Sequence, residues 1–258
     1  MTADDNTGPR QLKSVAQAFD IIEYLRTEGS ATLSGIAERF EMPMSTAHIH
    51  LTTLVENGYV LKDDGEYRCG LLFLRTGGEL RDRMPLFRAA KSEVDDLREK
   101  SGEYANIGTE ESGYLVQLYK SENPESIDDN ASLGAHLYLH STATGKAILS
   151  QLPETEVESI LDRRGLPALT DDTITDRDAL STELRETRER GYAVNRGEHH
   201  PGVCAIGTPI VSNSGEVLGA ISVSGPLSRM GTDRIEDVLA PALLNKKNII
   251  ELKLAQYA

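Results

Sequence analysis

Between residues 13 and 70 the chain fits three helical apolar repeats and one Asp-Gly hairpin into about 55 positions, and few folds accept that order. In "KSVAQAFDIIEYLRTE", Val15, Phe19, Ile22 and Leu25 (or Ala18) recur at helical spacing, and Gly29 ends the run. Thr32 is placed to cap a second, short helix carrying Leu33, Ile36, Ala37 and Phe40. "EMP" makes a turn. A third helix runs from about Met44 to Asn57, with Gly58 as its stop. "YVLKDDGEYRCG" then reads as strand, Asp-Gly turn and strand. Three helices followed by a hairpin are the layout of a winged helix-turn-helix.

On a helical wheel the third helix turns Ala47, Leu51, Leu54 and Val55 inward. Ser45, His48, Ile49 and Thr52 fall on the opposite face, which in this layout enters the DNA major groove. The Ser45 and Thr46 hydroxyls, with the free N–H groups of the helix start, can hold a phosphate without formal positive charge. A Ser-Thr start is also simply a good helix cap, and a winged unit also serves as a protein docking module. The pattern alone leaves both readings open.

The rest of the chain reads differently. Residues 71–84 continue as a linker helix whose pattern Gly77-Gly78 and Pro85 interrupt. Leu86, Ala89, Ala90, Val94 and Leu97 then resume a helical stripe. Strands are expected at "EYANIGT" and "GYLVQLYKS", and a polar stretch follows at 122–134. Helices are expected at about 142–151, 154–164 and 176–190, then strands at "GYAVN", "AIGTPIVS" and "VLGAISVSG", then a closing helix at about 232–256. The fold class is α+β: a winged helix-turn-helix domain over 1–70, the linker over 71–84, and over 85–258 one antiparallel sheet with helices on it.

Charge bounds the setting. The net charge is −14, and only 9 of the 27 basic residues are lysine. Excess Asp and Glu with scarce Lys suits a salt-filled cytosol, where screening tolerates self-repulsion, and reads as a halophile signature; a merely acidic cytosolic protein is the alternative. Residues 1–84 hold 9 Lys and Arg against 13 Asp and Glu, a net of −4, so DNA affinity must rest on local geometry. No apolar run reaches the roughly 20 residues of a membrane span, and no signal-peptide core precedes the first helix, so a cytoplasmic location is expected. Cys69 and Cys204 are too far apart in sequence for a metal-type pair and are expected as buried thiols. A metal at His136, His140, His199 and His200 is not expected, because no cysteine pair or ordered carboxylate accompanies them. There is no nucleophile elbow, phosphate loop or HExxH motif, so neither an enzyme nor a cofactor is expected.

Six stretches in order resemble the IclR family of transcriptional regulators over about residues 12–256. They are "KSVAQAFDIIEYL", "TLSGIAERFEMPMSTAHIHLTTLVENGYV", "DGEYRCGLLFLRTG", "LHSTATGKAILSQLP", "LRETRERGYAVNRGEHHPGVCAIGTPI" and "GAISVSGPLSRM". The chain departs from the family at Met44, often a basic residue, and at Ile49, often Arg; both can touch thymine methyl groups instead. The resemblance implies sequence-specific binding of a palindromic operator through Met44, Ser45, Thr46, His48, Ile49 and Thr52. It also implies a GAF-like effector domain that binds a small carboxylate or sugar acid. Carried over position by position, the family's ligand contacts fall on Thr142, Ala143, Asn195, Ala205, Ser222 and Ser224. Cys204 stands where an Arg is common, one step from the usual cysteine, and in an alternating strand points to the other face.

The residues support a pocket independently. "STATGKAIL" places hydroxyls and free N–H groups at a helix start, and "AISVSGP" puts Ser222 and Ser224 on one strand face. His140 is a further effector-binding candidate or a satisfied core histidine, and Lys146 is expected to cover its helix with a solvated tip. One reading unit contacts only a few base pairs, so a homodimer or a pair of dimers is expected, meeting through Leu71, Leu72, Leu74 and Leu80 of the linker. The rival class is a ligand-binding protein interaction module without DNA binding.

Overall fold

The computed structural model describes residues 12–122 and 132–256, so most of the polar stretch expected at 122–134 lies outside the described residues. The chain divides between Leu80 and Arg81 into two compact units.

The first unit runs α1 (Lys13–Glu28), β1 (Ala31–Thr32), α2 (Leu33–Arg39), α3 (Met44–Glu56), β2 (Val60–Asp63), β3 (Glu66–Cys69) and into α4 (Leu72–Arg83). Gly29 ends α1 with a positive φ of 83°, its N–H bonded to the Leu25 carbonyl. Thr32 caps α2, its hydroxyl oxygen accepting from the Gly35 N–H at 3.1 Å. Asp64 and Gly65 both take positive φ (46° and 83°), the turn geometry that matches strand twist in a two-residue hairpin. The strand β1 is an addition to the sequence reading. Its two residues pair with β3, giving a three-stranded sheet in the order β1-β3-β2. The core contains Ile21, Leu25, Ile36, Leu51, Leu54, Val60 and Tyr67.

Two sequence expectations need correction here. In α1 the buried pair is Ile21 and Leu25, while Val15 and Phe19 are 49% and 67% exposed. The apolar series outruns the core: Ile22 still packs against it, while Val15 and Phe19 are left in solvent. Second, α4 runs through Gly77 and Gly78 without a break. Glycine costs a helix about 1 kcal/mol relative to alanine, which weakens the helix without ending it; the break comes at Met84, before Pro85.

The second unit opens with α5 (Pro85–Ser101), β4 (Tyr104–Glu111), β5 (Tyr114–Ser121) and β6 (His136–Tyr138). A 3-10 turn (Leu139–Ser141) leads into α6 (Ala143–Leu149), then α7 (Glu154–Arg164), α8 (Arg177–Arg190), β7 (Ala193–Arg196), β8 (Val203–Val211) and β9 (Val217–Pro226). A 3-10 turn (Leu227–Arg229), α9 (Thr232–Arg234), a π-helical turn (Ile235–Leu239) and α10 (Ala240–Leu254) complete it. The six strands form one antiparallel sheet in the order β6-β5-β4-β9-β8-β7.

Strand alternation gives this sheet two distinct faces. Ala105, Ile107, Cys204, Ile206, Ile221 and Val223 join Leu86, Val94, Leu97, Leu243 and Ile250 in one core, which brings in α5 and α10. Ala193 and Ala220 join Ala147, Ile148, Leu149, Ile160, Leu161, Leu180 and Leu184 in a second core on the other face, with α6, α7 and α8. Fully burying each large aliphatic side chain contributes about 1.5–3 kcal/mol. The approach of α6 to the sheet is backbone against backbone. A Cβ on Gly207 would lie 2.7 Å from the carbonyl carbon and oxygen of Ala143, and one on Gly145 only 2.2 Å from the Leu139 carbonyl oxygen. We therefore expect Gly207→Ala to lower the unfolding free energy by about 1–3 kcal/mol in urea titrations, because the obstructing atoms are main chain.

Candidate functional site

The two units each carry a site. In the first, α3 buries Ala47, Leu51 and Leu54 and leaves Met44, Ser45, His48, Ile49 and Thr52 exposed, with Thr46 half-buried. The six residues singled out for DNA contact thus lie on the solvent side of α3 or at its start. Sequence reasoning passed over Lys62 and Arg68, which the hairpin exposes to solvent as candidate phosphate partners. Lys62 sits over the Tyr67 ring, 5.4 Å from its centroid.

In the second unit a cavity of about 50 Å³ lies on the α6 face of the sheet. All six strands or their connections reach it. Leu137 comes from β6, Leu115 and Gln117 from β5, Tyr104 and Asn106 from β4, and Ser222 and Ser224 from β9. Val203 and Ala205 come from β8, Asn195 from β7, and His199 and His200 from the β7–β8 loop. Thr142, Ala143 and Thr144 close it from the start of α6. Six of the seven sequence-predicted effector residues (Thr142, Ala143, Asn195, Ala205, Ser222 and Ser224) therefore meet around one space.

His140 does not. It is 2% exposed, lies outside the cavity lining, and its Nε2 is 3.2 Å from the Pro167 carbonyl oxygen. The 3-10 turn points it away from the cavity, and burial, opposed by the hydrogen bond to Pro167 and aided by the nearby Lys146 and His199, pulls its pKa below the ordinary histidine value. It is a core histidine. Cys204 likewise sits in the opposite core, where burial raises its thiol pKa. Cys69 is only half-buried, against the expectation of two buried thiols.

The polar groups of the cavity are tied together. Ser222 donates to Asn106 Oδ1 at 2.7 Å and accepts from the Thr144 hydroxyl at 3.0 Å. With its oxygen so occupied, Asn106 can offer a ligand its amide nitrogen. Asn195 is committed at both ends, donating to the Ser141 carbonyl and accepting from the Glu198 N–H at 3.2 Å. Thr142 caps α6 by accepting from the Gly145 N–H at 3.0 Å. The N–H groups of Ala143 and Thr144 belong to the first helical turn, which has no carbonyl of its own to bond. No Lys or Arg lines the cavity.

Lys146 also departs from expectation. It is 1% exposed, and its ammonium donates to Glu198 at 2.7 Å and lies 3.6 Å from Glu183. Burial raises the Glu198 pKa, while Lys146 opposes that rise. The pair anchors the loop that carries His199 and His200. Thr170 and Thr173 fasten the same loop, donating to the Gly197 and Glu198 carbonyls at 2.8 and 2.6 Å. A lysine between small residues looks like a surface cation in sequence; its acidic partner lies 52 positions away. Among the described residues, no three His, Cys, Asp or Glu side chains converge as metal ligands, and no helix is long and apolar enough to cross a membrane.

A winged helix-turn-helix unit, joined in one chain to a sheet unit with a donor-lined cavity, defines a ligand-responsive DNA-binding regulator. Comparison with known proteins agrees. A family model described as "IclR helix-turn-helix domain" matches residues 14–64, and one described as "Bacterial transcriptional regulator IclR C-terminal" matches residues 79–249. The probable HTH-type transcriptional regulator ArcR of Halobacterium salinarum is 30% identical over 98% of this chain and 97% of its own length. The transcriptional repressor IclR of Escherichia coli is 29% identical over 93% of this chain and 89% of its own. The crystal structure of Thermotoga maritima IclR is 31% identical and superposes with a TM-score of 0.82, covering 95% of this chain and 100% of that one. The chain belongs to the IclR family of DNA-binding transcriptional regulators with a C-terminal effector-binding domain.

Two stability outcomes follow from the burial pattern. Lys146→Ala strands a buried carboxylate and should cost about 3–5 kcal/mol, whereas Thr46→Ala and His48→Ala should stay within about 0.5 kcal/mol of the wild type. Chemical denaturation followed by circular dichroism measures both. The second concerns pH. Burial alone would raise the Glu103 pKa, but Arg229 and Arg234, at 2.6 and 2.9 Å, outweigh it and hold the carboxyl below its ordinary value. A depressed carboxyl contributes stability that is present above the unfolded value of about 4.5 and is lost as pH falls through the folded value. Glu103→Gln should therefore flatten the acid limb of the stability profile below about pH 4.5.

Proposed function

We propose that this regulator binds a palindromic operator as a homodimer, or as a pair of dimers, and that a small carboxylate or sugar acid in the second-unit cavity sets its operator affinity. Met44, Ser45, Thr46, His48, Ile49 and Thr52 read the DNA; Thr142, Ala143, Asn195, Ala205, Ser222 and Ser224 hold or shape the effector. The observation that carries the effector class is the donor-rich lining without a fixed cation. First-turn amides, the Asn106 and Gln117 amides and two imidazoles favour a ligand rich in acceptor oxygens.

Support for the homodimer comes from apolar surface. Val15 and Phe19 line an open groove of about 570 Å³ in the first unit, and Leu71, Leu74 and Leu80 are exposed along the linker. Apolar patches of that extent on a soluble protein mark contact surfaces. The acid excess and the likeness to a Halobacterium protein support a halophilic archaeal origin and a salt-rich cytoplasm as the working medium.

The operator test separates the two sites. Thr46→Ala and His48→Ala should weaken operator binding by about 5- to 150-fold, taking about 1–3 kcal/mol per lost DNA contact, while keeping the ligand response. Ser222→Leu should retain operator binding and lose that response. Effector and operator must alter each other's affinity by one factor, and coupling of about 1–3 kcal/mol corresponds to about 5–150-fold. Operator titrations against a panel of carboxylates and sugar acids measure it. An unchanged response in Ser222→Leu would place the effector elsewhere, and a monomeric mass by light scattering in high salt would remove the dimer.

A further inference from the structure

Gln117 is the polar outlier of the cavity. It stands on β5 opposite Gly108 of β4, with its backbone satisfied: its N–H bonds the Ala135 carbonyl at 3.3 Å and its carbonyl accepts from Gly134 at 2.8 Å. Its side chain lines the cavity and is 4% exposed, and among the described residues its amide nitrogen has no hydrogen-bond partner. A buried donor without an acceptor is costly, so such a group in a native fold calls for an explanation. Its neighbours at that end are Leu115 and Leu137, which offer a ligand nothing but hydrocarbon.

Position in the sheet sets what Gln117 can read. Strands lie about 4.8 Å apart, so β5 is one strand from Asn106 on β4 and three from Ala205 on β8. Asn195, His199 and His200 come from β7 and the loop after it, at the other end of the strand order. Thr144, at the start of α6, hydrogen-bonds Asn106 of β4 and Ser222 of β9, one and two strands from β5, so a short acid whose carboxylate is held there turns its far end toward Gln117.

We propose that Gln117 is a specificity-determining residue that recognises an acceptor oxygen on the end of the effector remote from its carboxylate. The ligand class is a short oxygenated acid, carrying a terminal hydroxyl, carbonyl or second carboxylate, and not an acid with a hydrocarbon tail. This rests on the reading of the cavity as the effector site. A terminal oxygen satisfies the amide, whereas a methyl group buries it unpaired and leaves the donor stranded.

The test uses the full-length protein and chain-matched probes in calorimetric titrations: propanoate against 3-hydroxypropanoate, and butanoate against 4-hydroxybutanoate and succinate. The wild type should bind the oxygenated members about 10-fold more tightly. Gln117→Leu and the unbranched Gln117→Met should bring each pair within about 2-fold or invert it. Both variants should melt at or above the wild-type temperature, because a stranded donor has been removed. Equal wild-type affinity within each pair, with all binding abolished by Ser222→Leu, overturns the inference and leaves the cavity reading intact. A destabilised Gln117→Leu whose probe preference is unchanged shows a structural role and also overturns it. Binding that survives Ser222→Leu, or no binding of any probe, overturns the cavity reading and this inference together.

Discussion

The second unit depends on one close approach: the start of α6 lying main chain to main chain on β8. Gly207 makes it possible, since a methyl group there would collide with the main chain of Ala143 and Thr144, and Gly145 lets the same helix start lie as tightly on the 3-10 turn at Leu139. The approach has two consequences. It presents the amides and hydroxyls of Thr142, Ala143 and Thr144 to the sheet face carrying Ser222, Ser224 and Asn106. It also pulls Lys146 entirely out of water, and burying that charge is tolerable only because Glu198 reaches it. The loop bearing His199 and His200 is fixed as a by-product. The cavity is therefore a consequence of how one helix packs.

The first unit follows a simpler logic. Its core is supplied by short segments that each bury one stripe, and caps and turns punctuate them at Gly29, Thr32, Gly58 and Asp64-Gly65. These are local signals, so the helices and the hairpin were legible in the sequence. The extent of burial in α1 was not, because Val15 and Phe19 continue the spacing of Ile22 and Leu25 into a stretch that stays in solvent. Periodicity gives the phase of an apolar stripe but cannot say how much of it meets the core. The two-residue β1 is too short to leave any pattern.

The same division runs through the cavity. Alternation in "AISVSG" was enough to place Ser222 and Ser224 on one face and Ile221 and Val223 on the other, and the cores and cavity lie on those faces. Resemblance to the family added Asn195 and Ala205. What could not be read was anything that depends on pairing between distant strands. Tyr104 and Asn106, with Gln117 on the next strand, meet Ser224 and Ser222 only because β4 pairs with β9 from the far end of the chain. His140, adjacent in sequence to the cavity loop, is turned away by a three-residue 3-10 turn that no spacing rule anticipates.

Along β8 and β9 the division of labour is by parity. Positions 204, 206, 221 and 223 build the core beneath the sheet, and positions 205, 222 and 224 shape the cavity above it. Selection can therefore act on what the protein senses without first renegotiating what keeps it folded. A replacement on the cavity side redraws the ligand's outline, while the stabilising layer sees only an unchanged backbone. Duplicated copies of such a gene could diverge toward new metabolites by few changes. For the same reason the scaffold suits the construction of biosensors, where a designer could vary Gln117, Ala205 and Ser224 as a small combinatorial set.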